Sequence, residues 1–135
     1  MKFPHEMGSW IQDLEFHIEE VSGTRVVGHI EVGPKHHTPF GVAHGGVFAT
    51  IVETTGSLGA SAAVADRGQY AVGTHNATDF LRPMTTGRVD VIATPVLQGR
   101  VQQLWAVEMT RHEDGKTVAQ GRLRLQNVPM VPPPN

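Results

Sequence analysis

One carboxylate stands alone near the middle of this chain. Between residues 36 and 65, Glu53 is the one side chain of the Asp, Glu, Lys or Arg type. At the chain's charged fraction of 18%, thirty residues would ordinarily carry about five. A helical Glu usually marks a solvated face, but such a face carries several charges and this one carries none besides. At about 100° per residue, Ser57, Thr50 and Ser61 fall within about 80° of Glu53, while Phe48, Ile51, Val52, Leu58 and Ala62 fill the opposite arc. Glu53 therefore heads a stripe of small hydroxyls, where a carboxylate can hold a water or meet a ligand. Ser57, four residues on, can orient either.

Upstream, the segment Thr38-Pro39-Phe40-Gly41-Val42-Ala43-His44-Gly45-Gly46 opens the same helix. A helix N-terminus presents N–H groups without intrahelical acceptors and a partial positive charge. Glycines let a ligand oxygen approach the backbone, and together these features polarise a carbonyl or stabilise an oxyanion. His44 lies beside that position. Taken alone, His-Gly-Gly is a weak signal and reads more readily as a tight turn before a helix.

The elements around this segment are legible from periodicity. A chain of 135 residues points to one domain. Residues 1–12 read as a short lead-in, helical near 7–12. Alternating residues predict strands over 14–21 and 24–32, a Gly-, Pro- and His-rich loop over 33–45, and one long helix over 46–65. Four more strands follow, over 70–81, 88–97, 101–111 and 117–128, with Glu113-Asp114-Gly115-Lys116 as a hairpin signal. One helix covers one face of a six-stranded sheet, so the other face stays polar or meets a partner. Residues 1–128 are expected to form the domain. Residues 129–135, with four prolines, are expected to form an extended, poorly ordered tail.

Composition removes several classes. The absence of cysteine excludes disulfides, thiolate metal sites and a cysteine nucleophile. With 11 basic against 13 acidic residues and a net charge of −2, the chain lacks the surplus of a nucleic-acid binder. Residues 47–64 have the length of a membrane span, but a central Glu costs about 2.5–3.5 kcal/mol there. No signal peptide is visible, so a soluble cytoplasmic protein is the expectation. The eight histidines include no i, i+4 pair and no His-Glu-x-x-His, so no catalytic metal is expected, although His36-His37 could take one up adventitiously. His75 reads as a packed or interface residue. A Gly-x-Ser-x-Gly elbow is missing.

The string His44-Gly45-Gly46 with Glu53 nine residues after the histidine, followed by Ser57, resembles the hotdog-fold acyl-CoA thioesterases. The subgroup is the hydroxybenzoyl-CoA and phenylacetate-pathway type, which includes dihydroxynaphthoyl-CoA thioesterases. Asp79-Phe80-Leu81-Arg82-Pro83, Gly87-Arg88-Val89, Gln98-Gly99-Arg100, Gln102-Gln103-Leu104-Trp105 and Gly121-Arg122-Leu123 fit as well. The resemblance runs over residues 14–128. It implies an α+β fold in which a curved antiparallel sheet of about six strands wraps a long central helix. It also implies homodimers, often paired into homotetramers, with sites at the dimer interface.

For the residues, the resemblance implies that Glu53 is the nucleophile or the general base and that the Gly45 N–H polarises the thioester carbonyl. His44 shapes the carbonyl end and Ser57 orients water or carboxylate. Gly46, Val72, Gly73 and Thr74 line the acyl-thioester channel, and Arg82, Pro83, Gly99 and Arg100 lie near the nucleotide of coenzyme A. Arg88 is a further cation of the same kind. No metal or organic cofactor is implied beyond the coenzyme A of the substrate. One departure stands out. Six residues before the histidine the family usually has Asn or Gln, and this chain has Thr38. Either Thr38 works through a water, or His37 substitutes, or the rate is reduced. Phe40, Phe48 and Met84 suggest an aromatic or medium-length acyl group. The competing reading is a non-catalytic hotdog module that binds acyl-CoA or serves assembly, which Thr38 favours and the Glu53–Ser57 pair opposes. Hotdog hydratases need a histidine later on the helix, and none lies between His44 and His75.

Overall fold

A computed structural model describes residues 7–131. A short helix α1 (Ser9–Leu14) leads into strands β1 (Phe16–Ser22) and β2 (Arg25–Val32). The long helix α2 (Gly45–Val64) follows, then β3 (Gln69–Phe80), β4 (Gly87–Gln98), β5 (Gln102–Arg111) and β6 (Thr117–Pro129). The strands form one antiparallel sheet in the order β1-β2-β4-β5-β6-β3. This is the expected hotdog arrangement of six strands and one long helix, with element ends moved by one or two residues. The N-terminal six residues of the lead-in and residues 132–135 of the tail lie outside the described residues. The sheet also takes up one residue assigned by its proline content to the tail, Pro129, which pairs with Gln69; just past the strand the Met130 N–H donates to Gly68 O at 2.9 Å.

Burial alternates along each central strand, as a half-buried sheet requires. Val26, Ile30 and Val32, then Val89, Val91 and Ala93, then Trp105, Val107 and Met109, then Leu123 and Leu125 point to α2. From the helix come Phe48, Ile51, Val52 and Leu58. Ala62, placed on the same arc by the helical wheel, is half-buried. Two glycines set how deep the helix seats. A Cβ on Gly59 would collide with the Trp105 ring, and one on Gly56 would lie 2.7 Å from Leu123. The stretch Gly45–Arg67 has the length and hydropathy of a membrane span, yet most of its most apolar window is buried against the sheet.

The two sheet edges differ in chemistry. Edge strand β1 carries Glu19 and Glu20 and breaks register between Ile18 and Glu20, the ordinary protection against further pairing. Edge strand β3 carries no Asp, Glu, Lys or Arg from Gln69 to Thr78, and its second edge is unpaired among the described residues.

Candidate active site

The start of α2 presents backbone N–H groups beside the His44 side chain. The Gly46 N–H donates to His44 Nδ1 at 2.8 Å, so the His44 side chain caps the helix. An acceptor at Nδ1 puts the proton of neutral imidazole on Nε2, which leaves a second donor at the helix mouth. The Val47 N–H is taken by His44 O at 3.0 Å. The Gly45 N–H has no acceptor among the described residues. The Phe80 ring lies where a Cβ on Gly45 would be, 2.7 Å away, so a larger residue there would have to displace the ring.

The loop before the helix is fastened from several sides. His44 N–H donates to His36 O at 2.8 Å, and Ala43 N–H to Met84 O at 2.8 Å. His36 is buried, with Nδ1 accepting from the Gly33 N–H and Nε2 donating to Leu14 O. Both its nitrogens are thus structural, which removes the adventitious His36-His37 metal pair. His37 Nε2 donates to the Thr85 carbonyl at 2.6 Å, and its remaining Nδ1 can only accept in the neutral ring. A neutral His37 therefore cannot replace the amide donor that the resemblance leads one to expect at the Thr38 position. The Thr38 hydroxyl accepts from the Phe40 N–H at 3.1 Å and closes a turn, so in this chain it is a turn former with one O–H left to give.

Glu53 is exposed on the described chain and forms no ion pair or side-chain hydrogen bond among its residues. It leans on β3: a Cβ on Gly73 would lie 3.8 Å from its Oε1. The hydroxyl stripe around it is narrower than helical periodicity suggests. Ser61 is buried, and its Oγ accepts from the Ala71 N–H at 3.0 Å. Thr50 accepts from the Trp10 indole N–H at 3.2 Å. Ser57 keeps a half-buried hydroxyl without a side-chain partner among the described residues. Val72, Gly73 and Thr74 are exposed on β3 beside this carboxylate, with register broken between Gly73 and His75. A bulge of this kind re-aims an edge strand. Exposed His75 follows it.

Two distances separate the expected site residues within one chain. Gly45 and Glu53 are eight residues apart on α2, about 12 Å along the axis. Arg82 donates to Thr117 O at 2.7 Å, at the start of β6, and Pro83 is exposed next to it. Gly99 and Arg100 accept through their carbonyls from Asn127, near the end of β6. Ten strand residues, about 34 Å, separate those ends. The structure therefore does not bring together, within a chain, the four residues that the resemblance places near the nucleotide. Arg88 is not among them: it is paired with Asp90 at 2.8 Å and Glu19 at 3.4 Å.

The apolar pocket suggested by Phe40, Phe48 and Met84 is corrected. Phe48 and Met84 are core, and Phe40 is 91% exposed at the loop tip. Three residues near the site had no role in the sequence reading. Asn76 donates to Ala49 O at 2.9 Å and ties β3 to α2; Asn is depleted in strands, which was its signal. Trp10 carries its indole to the Glu53 side of the helix, and Phe80 covers Gly45. A groove of about 420 Å³, lined by Ile92, Thr94, Ala106, Glu108 and Arg122, lies on the outer face of the sheet, away from Glu53.

The comparisons with known proteins agree with this geometry. The sequence pattern of the thioesterase superfamily matches residues 40–118. Protein Rv1847 of Mycobacterium tuberculosis is 36% identical over 122 residues, which is 89% of this chain and 86% of that one. Its solved structure superposes with a TM-score of 0.88, covering 93% of this chain and all of the other at 34% identity. The 1,4-dihydroxy-2-naphthoyl-CoA thioesterase 2 of Arabidopsis thaliana is 36% identical over 105 residues, 77% of this chain and 66% of that protein. A thioesterase of Haemophilus influenzae has a crystal structure with a TM-score of 0.85 at 30% identity, covering 93% of this chain and 87% of that one. A pattern match over more than half of the chain, and identity at this level along nearly all of it, decide the family: the chain belongs to the hotdog-fold thioesterase superfamily and is a thioester hydrolase.

Proposed function

We propose that this enzyme hydrolyses an acyl-CoA thioester to the carboxylic acid and coenzyme A, working as a homodimer joined along β3. The observation that carries the reading is the placement of Glu53: an unpaired carboxylate on an otherwise uncharged helix, against an uncharged, unpaired strand edge. Antiparallel pairing of two β3 strands runs one chain's Arg82 end alongside its partner's Tyr70 end. The 34 Å that splits Arg82 from Arg100 within a chain then becomes a junction between chains. The same two-fold lets the Gly45 N–H of one protomer and Glu53 of the other reach one carbonyl.

In this site the Gly45 N–H, with His44 Nε2–H beside it, binds the thioester oxygen and stabilises the charge that develops on it. Glu53 either attacks the carbonyl carbon or takes the proton of the water that does, and Ser57 orients that step. In the first course coenzyme A leaves as the thiolate, and water then cleaves the Glu53 acyl anhydride to release the acid and regenerate the carboxylate; in the second, the proton that Glu53 takes from water passes to the departing thiolate. Thr38 turns the loop, and its O–H is free to reach the thioester through a water. No metal or organic cofactor enters this scheme. For the acyl group we favour an aromatic one. The Arabidopsis relative is named for a naphthoyl thioester, and Trp10 offers an indole on the Glu53 side of α2. Exposed Ile92, Val96 and Leu97 on the outer face support pairing of dimers into a tetramer.

Thiol release from benzoyl-, phenylacetyl-, hydroxynaphthoyl- and fatty acyl-CoA tests the reading, with Glu53→Ala and Glu53→Gln as controls. The aryl thioesters are expected to be turned over fastest, and both variants to lose about 10²-fold or more. Undiminished turnover in Glu53→Ala overturns the mechanism. Tight binding of every thioester without thiol release would favour the non-catalytic module.

A further inference from the structure

Two buried amides connect the helix of the chemistry to the turn that carries Arg100. Gln103 is 1% exposed and Asn127 6% exposed. The Trp105 indole N–H donates to Gln103 Oε1 at 2.9 Å. An indole nitrogen only donates, so it fixes which way the Gln103 amide faces. Gln103 Nε2 then donates to Ala60 O of α2 at 2.9 Å and to Asn127 Oδ1 at 2.8 Å. That second bond in turn fixes Asn127, whose Nδ2 donates to Gly99 O and Arg100 O, each at 3.2 Å. The Asn127 N–H adds a bond to Val101 O at 2.8 Å. All four amide protons are used, and no amide can flip without stranding a donor against a donor. A fully satisfied buried network of this kind imposes one geometry.

The turn has little of its own to hold it in that geometry. Residues 99–101 lie outside any strand, and the turn's own closure is the Gly99 N–H bond to Gln102 O at 2.8 Å. Arg100 is exposed and has no ion pair among the described residues. An arginine that binds phosphate must be aimed, because its fork of donors is directional.

We infer that Gln103 and Asn127 are positioning residues for coenzyme A. They hold the backbone of the Gly99–Arg100 turn so that Arg100 meets the phosphates of the nucleotide, and they register that turn to α2 through Ala60. This inference rests on the proposed placement of the nucleotide at Arg100. Asn127 itself touches no substrate.

Calorimetric titration of coenzyme A and of pantetheine, which lacks the nucleotide, separates the possibilities, with kcat on an acyl-CoA measured in parallel. Arg100→Ala is expected to weaken coenzyme A about tenfold and leave pantetheine unchanged. Asn127→Ala is expected to reproduce that contrast with kcat intact, and the double variant to be no weaker than Arg100→Ala. Should Asn127→Ala not fold, Asn127→Ser, which keeps one donor, serves in the same comparison with a smaller contrast. If Arg100→Ala shows the contrast and the Asn127 variants do not, or if they weaken both ligands and kcat together, the positioning role is overturned. If Arg100→Ala shows no contrast, the nucleotide placement itself falls. Absent thiol release with the contrast preserved would instead count against hydrolysis alone.

Discussion

The proposed site, split between two chains, makes a prediction that no single-chain site can satisfy. Gly45 and Glu53 lie about 12 Å apart along one helix, so a thioester carbonyl held at one is out of reach of the other within a protomer. Two inactive variants should therefore rescue each other. The first is Glu53→Ala. The second is Gly45→Pro, which deletes the N–H at the first helical position, where proline is well tolerated. His44 before it has φ −65° and ψ 134°, a conformation that a following proline accepts. The ring of Phe80 must swing aside, because its tip lies 2.7 Å from the new Cβ position, so Phe80→Ala alone is the matched control. Each parent should fall by about 10²-fold or more. In a mixed dimer one site carries both lesions and the other carries neither. Equal amounts exchanged at random give half mixed dimers with one working site in two, about a quarter of wild-type activity per chain. The assay is co-refolding of differently tagged subunits, isolation of the doubly tagged species, and thiol release. A mixed species no more active than the average of its parents would refute the shared site.

Three further outcomes follow from the same structure. Gly59→Ala should lower the urea midpoint by an amount worth about 1–3 kcal/mol through overpacking, since Trp105 is buried and pinned through Gln103; an unchanged or raised midpoint would show that the helix can lift off the sheet at little cost. Thr38→Gln should raise kcat on an aryl-CoA about threefold to tenfold by supplying an amide donor at the thioester, unless the lost turn bond to Phe40 dominates, in which case kcat falls and Thr38 is a turn residue alone. In acid, the Arg111 guanidinium and then the Lys116 N–H hold the Asp114 carboxyl down at about 2. Its folded value lies below the unfolded one of about 3.9, so its contribution is complete above about pH 4 and is lost as pH falls toward 2. Thermal melts across that range should fall less steeply for Asp114→Asn than for the wild type, and parallel curves would remove Asp114 from the acid transition.

Local chemistry carried most of this fold into the sequence. Alternation along β5 and β6 and the long uncharged helix are periodic signals, and periodicity survives translation into structure because burial imposes it. Glu53 was legible for a related reason: a lone charge in an apolar segment contradicts its surroundings, and such contradictions collect at functional sites. Residues that work through distant contacts left weaker marks. Nothing near His36 in the chain announces that Leu14 will accept from its ring, and Ser61 resembles Ser57 on a helical wheel although Ala71 occupies it. Phe48 and Met84 looked like pocket walls because an apolar side chain reads the same whether it lines a ligand or a core.

The placement of the arginines shows the limit most clearly, and also how topology overcomes it. Arg82 and Arg100 are eighteen residues apart in the chain, which suggests nearness, yet the register of β3 on β6 sends them to opposite ends of the sheet. One substrate nucleotide can use both only if a second chain turns the sheet end for end. The contrast between the two edges supports β3 as the edge the proposed dimer uses: β1 is guarded by Glu19, Glu20 and a register break, while β3 offers ten consecutive uncharged residues beside Glu53. A strand left that open at an edge is an aggregation hazard for a monomer. Its persistence next to the lone carboxylate makes physical sense if the edge is covered by the partner that completes the site.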